Sequence, residues 1–135
     1  MTKPEATMTT AYWCVLIAIL LPYTCTVAAK IAGDRFGPTA NRDPRAWLDQ
    51  QQGMSRRANA AQLNGFEAAP AFAAAVIIAH LAGGAQQGTL DTLALLWVAS
   101  RVAYILCYLA DLARLRSVVW FAGVGIIVAL FCVAA

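Results

Sequence analysis

The sequence predicts an all-α integral membrane protein, a four-helix bundle in one domain, and three observations carry that expectation. Of 135 residues, 61% are hydrophobic and only 13% are charged, where a soluble domain carries about a quarter charged residues. The charge collects between residues 30 and 57 and around 111–116, which leaves four apolar runs. Each run suits the roughly 20 residues that a helix needs to cross a bilayer. Strand-like alternation and internal repeats are not present, and a segment alone in lipid satisfies its own backbone only as a helix.

The first expected span covers residues 11–32. Val27-Ala28-Ala29 offers a small-residue cleavage pattern, but the leader MTKPEATMTT balances Lys3 with Glu5, and the apolar run is longer than a signal-peptide core. It therefore reads as a span. A long basic loop follows, in which NRDPR (41–45) reads as a turn. The second span covers 57–83, the third 90–110, which Asp91 caps or begins, and the fourth 115–134. Lys30, Arg35, Arg42, Arg45, Arg56 and Arg57 flank or occupy the first loop, and Arg114 and Arg116 the third, whereas GAQQGT carries no charge. The positive-inside rule then places the first and third loops in the cytoplasm and both termini on the opposite side. This accounts for the net charge of +3 without a nucleic-acid partner. Cys14, Cys25, Cys107 and Cys132 all fall inside spans, with no paired spacing that would hold a metal or a disulfide framework. His80 lies thirteen residues past Glu67, on roughly the opposite face and near the far end of its helix, so it reads as an interfacial contact.

Two polar stripes interrupt this apolar frame. In the second span Arg57, Asn64 and Glu67 are spaced by seven and three, with Gln62 nearby and Pro70 one turn beyond. In the third, Arg101, Tyr104, Tyr108 and Asp111 are spaced three, four and three, and Trp97 extends the row by a turn. Both spacings keep their residues on one helix face. An unpaired charge near the bilayer centre costs at least about 2.5–3.5 kcal/mol, so the economical expectation is a buried Glu67–Arg101 ion pair. The surplus of donors and acceptors around that pair points to a polar cleft opening at the basic end, beyond what gluing two helices requires.

These stripes resemble the MAPEG family, the membrane-associated proteins in eicosanoid and glutathione metabolism, which includes microsomal glutathione transferases. The family pattern in the second span matches Arg57, Ala61-Gln62, Asn64, Glu67 and Pro70; that in the third matches Arg101-Val102-x-Tyr104 and Tyr108 within RVAYILCY. Arg116-Ser117-Val118 resembles the segment that carries the family's thiol-activating arginine. One departure is Ala60, where several eicosanoid enzymes carry an arginine.

The resemblance implies a homotrimer, with glutathione as co-substrate bound between neighbouring subunits near the cytoplasmic side. It implies a transferase or peroxidase acting on lipophilic electrophiles that enter from the bilayer. The binding set is then Arg57, Gln62, Asn64, Glu67, Arg101, Tyr104, Tyr108 and Lys30, with Arg116 as the catalytic candidate and Lys30 second to it. The residue chemistry suits this ligand, because arginines and tyrosines donate to its carboxylates and Glu67 accepts from its ammonium. A cation beside a thiol whose ordinary pKa is about 8.5 favours the nucleophilic thiolate. The alternative is a non-catalytic relative that binds lipid or a protein partner in the same cleft. A small multidrug transporter also has four spans and one intramembrane glutamate. Its loops are short, unlike residues 33–56 here, and its carboxylate has to be free to titrate rather than committed to Arg101.

Overall fold

The computed structural model describes residues 7–135; Lys3 and Glu5, on which the leader argument rests, lie outside the described residues. Every regular element described is helical: α1 (Thr10–Ala32), α2 (Pro38–Arg42), α3 (Pro44–Asp49), α4 (Gly53–Ala82), α5 (Gln87–Leu109) and α6 (Ala113–Ala134). Of these, α1, α4, α5 and α6 are long and apolar enough to cross a membrane. The chain is thus an all-α, four-helix, multi-pass membrane protein.

The expected spans fall on these helices, with one systematic difference. Helix α4 starts at Gly53 rather than 57, and α5 at Gln87 rather than 90. Apolar runs mark the bilayer, whereas a helix continues into water for as long as its polar turns bond. The first loop is also more ordered than a turn-rich reading suggests. It folds into α2 and α3, each opened by a proline in its first turn, where the missing N–H costs nothing. Asp43 of NRDPR caps α3 by accepting from the Ala46 N–H at 3.2 Å. Buried Gln51 ties the loop down: its Oε1 accepts from the Asp34 N–H at 2.8 Å and its Nε2 donates to the Trp47 carbonyl at 3.1 Å.

Helix α4 touches all three other spanning helices, and α5 packs against α1, α4 and α6. Small residues permit the close approach of α1 and α4. A Cβ built on Gly65 would lie 2.7 Å from Pro22 Cγ, so only glycine fits the crossing. Nearer the basic end, buried Ser55 Oγ donates to the Ala29 carbonyl across the same interface at 2.7 Å. The centre of the bundle is filled by Phe72 and Trp97, whose rings stack in parallel at 3.9 Å. Helix α6 lies to one side on α4 and α5 and presents Val118, Phe121 and Val128 outward, Phe121 being 68% exposed.

Asp91 lies near the start of the third spanning helix, as one of its two expected roles has it, but does not cap that helix. It sits inside the first turns of α5 and caps α1 instead of its own helix: its Oδ1 accepts from the Ala11 N–H at 2.8 Å and from Gln87 Nε2 at 2.9 Å. Thr9 Oγ1 satisfies the next donor, the Tyr12 N–H, at 3.1 Å. Together they satisfy two of the free donors at the start of α1. Asp91→Ala is expected to lower stability by about 1 kcal/mol, read as a lower midpoint of thermal unfolding in mild detergent, although Asp91 lies at the opposite end of the bundle from the polar stripes.

His80 behaves as an interfacial contact. Its ring lies 5.1 Å from that of Tyr12, and its Nδ1 is 3.3 Å from Gln87 Oε1. All four cysteines are free thiols.

Candidate functional site

The two stripes meet where α4 and α5 run side by side. Arg101 is 5% exposed and eight residues from the end of α5, about 12 Å along the axis. Its Nη2 donates to Asn64 Oδ1 at 2.7 Å. Its guanidinium carbon lies 4.2 Å from the centroid of the Tyr104 ring and 5.8 Å from that of Trp97. Burial of the cation is therefore relieved by one strong charge-assisted hydrogen bond and two aromatic faces.

From Arg101 the polar row runs toward the basic end. Tyr104 and Tyr108, four residues apart on α5, meet edge to face at 5.5 Å. The Arg116 guanidinium carbon, on the first turns of α6, stands 4.2 Å from the Tyr108 centroid. Asn64, Arg101, Tyr104, Tyr108 and Arg116 thus form a continuous ladder from mid-bundle to the turn between α5 and α6. Arg57 joins at the same end. Its Nη2 donates to the Leu109 carbonyl at 3.2 Å, a favourable place for a cation because the last carbonyls of α5 carry partial negative charge.

The expected Glu67–Arg101 pair is not formed. Arg101 is satisfied by Asn64, and Glu67, a further turn along α4, is exposed on the outside of the chain. The physical reason is reach and cost: an amide oxygen one turn closer satisfies the guanidinium without desolvating a carboxylate. The same finding removes one objection to a transporter, since Glu67 is not committed to Arg101.

Three other expected positions lie elsewhere. Asp111 is not on the α5 face; it occupies the turn before α6 with a positive φ of 59°, a conformation that aspartate tolerates better than most residues. Gln62 and Asn64 are two residues apart, so they point about 160° from each other around α4. Gln62 lines a separate groove of ≈ 260 Å³ with Arg45, Asp49 and Asn59. Lys30 is half-buried beneath the first loop, its Nζ 4.2 Å from the Phe36 ring, which in turn meets Trp47 edge to face at 5.0 Å.

Two side-chain atoms of the expected set, Arg57 Nε and Gln62 Oε1, are buried with no hydrogen-bond partner among the described residues. An orphan of this kind costs about 1–3 kcal/mol, so each is suited to a ligand or a neighbouring chain. Asn64 as the partner of Arg101 was legible as a polar residue on the right face, but nothing in the spacing alone ranks it above Glu67. Pro22 and Gly65, which set the neighbouring helix crossing, were missed; a proline inside an apolar run is the signal that could have found Pro22.

No match to a curated protein was found. The model of the MAPEG family matches residues 10–135, a stretch that takes in both stripes and all four spanning helices, and the chain belongs to that family.

Proposed function

We propose that the protein is a membrane-embedded, glutathione-dependent transferase or peroxidase that acts on lipophilic electrophiles through an arginine-stabilised thiolate. The observation that carries this reading is the ladder from Asn64 and Arg101 through Tyr104 and Tyr108 to Arg116. It supplies fixed donors over several turns to an elongated, carboxylate-bearing ligand. At its outer end it places a cation where a thiolate needs one. Glu67, exposed beside the ladder, accepts from the ligand's ammonium, and Arg57 Nε, buried and without a partner among the described residues, is a spare donor.

The orphan on Gln62 supports an assembled site. Asn64 and Gln62 face opposite flanks of α4, so one ligand touches both kinds of surface only by bridging two copies of the chain. A homotrimer, with the site at each junction, is the assembly we infer. The basic end, where Arg57 and Arg116 lie, faces the cytoplasm in this reading. Lipophilic substrates reach the thiolate from the side, and the outer groove between α1 and α4, ≈ 270 Å³ and lined by Ile19, Tyr23, Phe66 and Ala73, is a suitable apolar approach.

In the transferase reaction the thiolate sulfur bonds to an electrophilic carbon and the leaving group departs with its electron pair. The test is to mix purified protein with glutathione and a chlorinated dinitrobenzene. Formation of the thioether with release of chloride is the expected result. No conjugate and no glutathione binding would leave the second reading, a non-catalytic family member that holds lipid or a protein partner. Ala60 favours that second reading, because it lies one turn before Asn64 on the same face and offers no side-chain donor.

A further inference from the structure

A small cavity lies against Arg101 where α1, α4 and α5 converge. Ala18, Pro22, Ala61, Gly65, Trp97 and Arg101 line it. The space open to the centre of a water molecule is ≈ 10 Å³, about what one water needs. Two of the residues that line this space, Arg101 and Ala18, carry unspent hydrogen-bonding capacity. Arg101 carries five N–H donors, and its one hydrogen bond among the described residues goes to Asn64. Pro22 lies inside the continuous helix α1 and has no N–H, so the carbonyl of Ala18, four residues earlier, loses its helical partner. Both Ala18 and Arg101 are buried, at 3% and 5% exposure, and a buried carbonyl without a partner is rare and costly.

The position of Pro22 is fixed independently. Its ring meets Gly65 so closely that a β-carbon there would stand 2.7 Å from Cγ. The proline, the glycine and the cavity therefore form one unit at the helix crossing beside the ladder.

We propose that Pro22 is a positioning residue for Arg101: by withdrawing an N–H from α1 it frees the Ala18 carbonyl, which holds the guanidinium through one internal water in the adjoining cavity. The water accepts from an Arg101 N–H and donates to the Ala18 carbonyl. Asn64 grips the guanidinium from α4 and the water grips it from α1, so its plane is fixed against the Tyr104 ring. The consequence for ligand binding rests on the glutathione reading above; the hold on Arg101 does not.

Pro22→Ala restores the N–H and lets α1 close its own bond to Ala18. A proline with a purely structural role would leave the guanidinium unaffected, and its removal from a helix interior would raise the unfolding midpoint or leave it unchanged. The inference predicts that midpoint behaviour together with a change that structure alone would not produce. Exchange of the Arg101 side-chain N–H protons with water, followed by nuclear magnetic resonance on protein with labelled arginine, becomes at least about tenfold faster, and glutathione binds about tenfold more weakly. Ala61→Val, which fills the cavity without touching the proline, is expected to accelerate the exchange likewise. Unchanged exchange in both variants overturns the inference. If the wild-type protein binds no glutathione, the proposed function falls, and the exchange rates alone decide the role of Pro22.

Discussion

Arg116→Ala lowers turnover of glutathione with a chlorinated dinitrobenzene at neutral pH by about a hundredfold or more, the usual loss when a fixed group that stabilises reacting charge is removed. The expectation follows from position. Arg116 stands over Tyr108 at the outer end of the ladder, and in the proposed function its role is to hold the sulfur as a thiolate. Without that cation the bound thiol titrates closer to its ordinary value of about 8.5. The sign is therefore definite: the fraction ionised at neutral pH falls, and activity recovers as pH rises toward that value. The ultraviolet absorbance of bound thiolate at neutral pH disappears in parallel. An unchanged pH profile would remove Arg116 from this role and pass it to Lys30, the second candidate that the family resemblance implies. Lys30 is engaged with Phe36, so it would have to leave that ring to reach the ladder.

The second large effect concerns Asn64. Among the described residues, its amide oxygen is the one hydrogen-bond acceptor of the Arg101 guanidinium. Asn64→Leu keeps much of the volume and strands the cation, at an expected cost of about 1.5–3 kcal/mol, as for other hydrogen bonds to charged groups. Glu67→Gln in the absence of glutathione changes stability by less than about 0.5 kcal/mol, because Glu67 is exposed and unpaired with Arg101. Had the two charges formed a buried pair, the order would be reversed, since breaking such a pair costs about 3–5 kcal/mol. Thermal unfolding of the two variants in one detergent compares them directly.

This contrast marks where the sequence was informative and where it was not. The four spans were legible because the composition of a membrane helix is dictated by its solvent. Helix ends were less so: α4 begins in the turn Gly53–Arg56, where Met54 is exposed and no apolar run marks the start. The stripe on α5 was legible from Arg101 to Tyr108, since a three-four spacing fixes a face. It failed at Asp111 because the helix stops at Leu109. The pairing of Arg101 required a choice between two acceptors, Asn64 and Glu67, three residues apart on α4, and helical period does not resolve a choice settled by side-chain reach. Gln62 was read into the cleft by proximity in sequence, although a two-residue offset turns it to the other flank. Asp91 illustrates a different limit: its partner is eighty residues away, beyond any local signal.

The ladder also shows how the bundle accommodates its polar row. Its cations are each engaged within the protein: Arg101 by Asn64 and the Tyr104 face, Arg116 by the Tyr108 face, and Arg57 by the Leu109 carbonyl through Nη2, with its Nε left unpaired. Cation–aromatic contacts strengthen when water is excluded, to about 2 kcal/mol or more. The members thus hold one another in place within the chain, which favours positioning a ligand without a large ordering cost.

In the proposed function this ladder, anchored at Arg101, is the binding surface for glutathione. Isothermal titration of glutathione into the wild-type protein and into Arg101→Ala decides whether it is. Saturable heat with the wild type and none with the variant is the predicted result; equal affinity in the two proteins would contradict it.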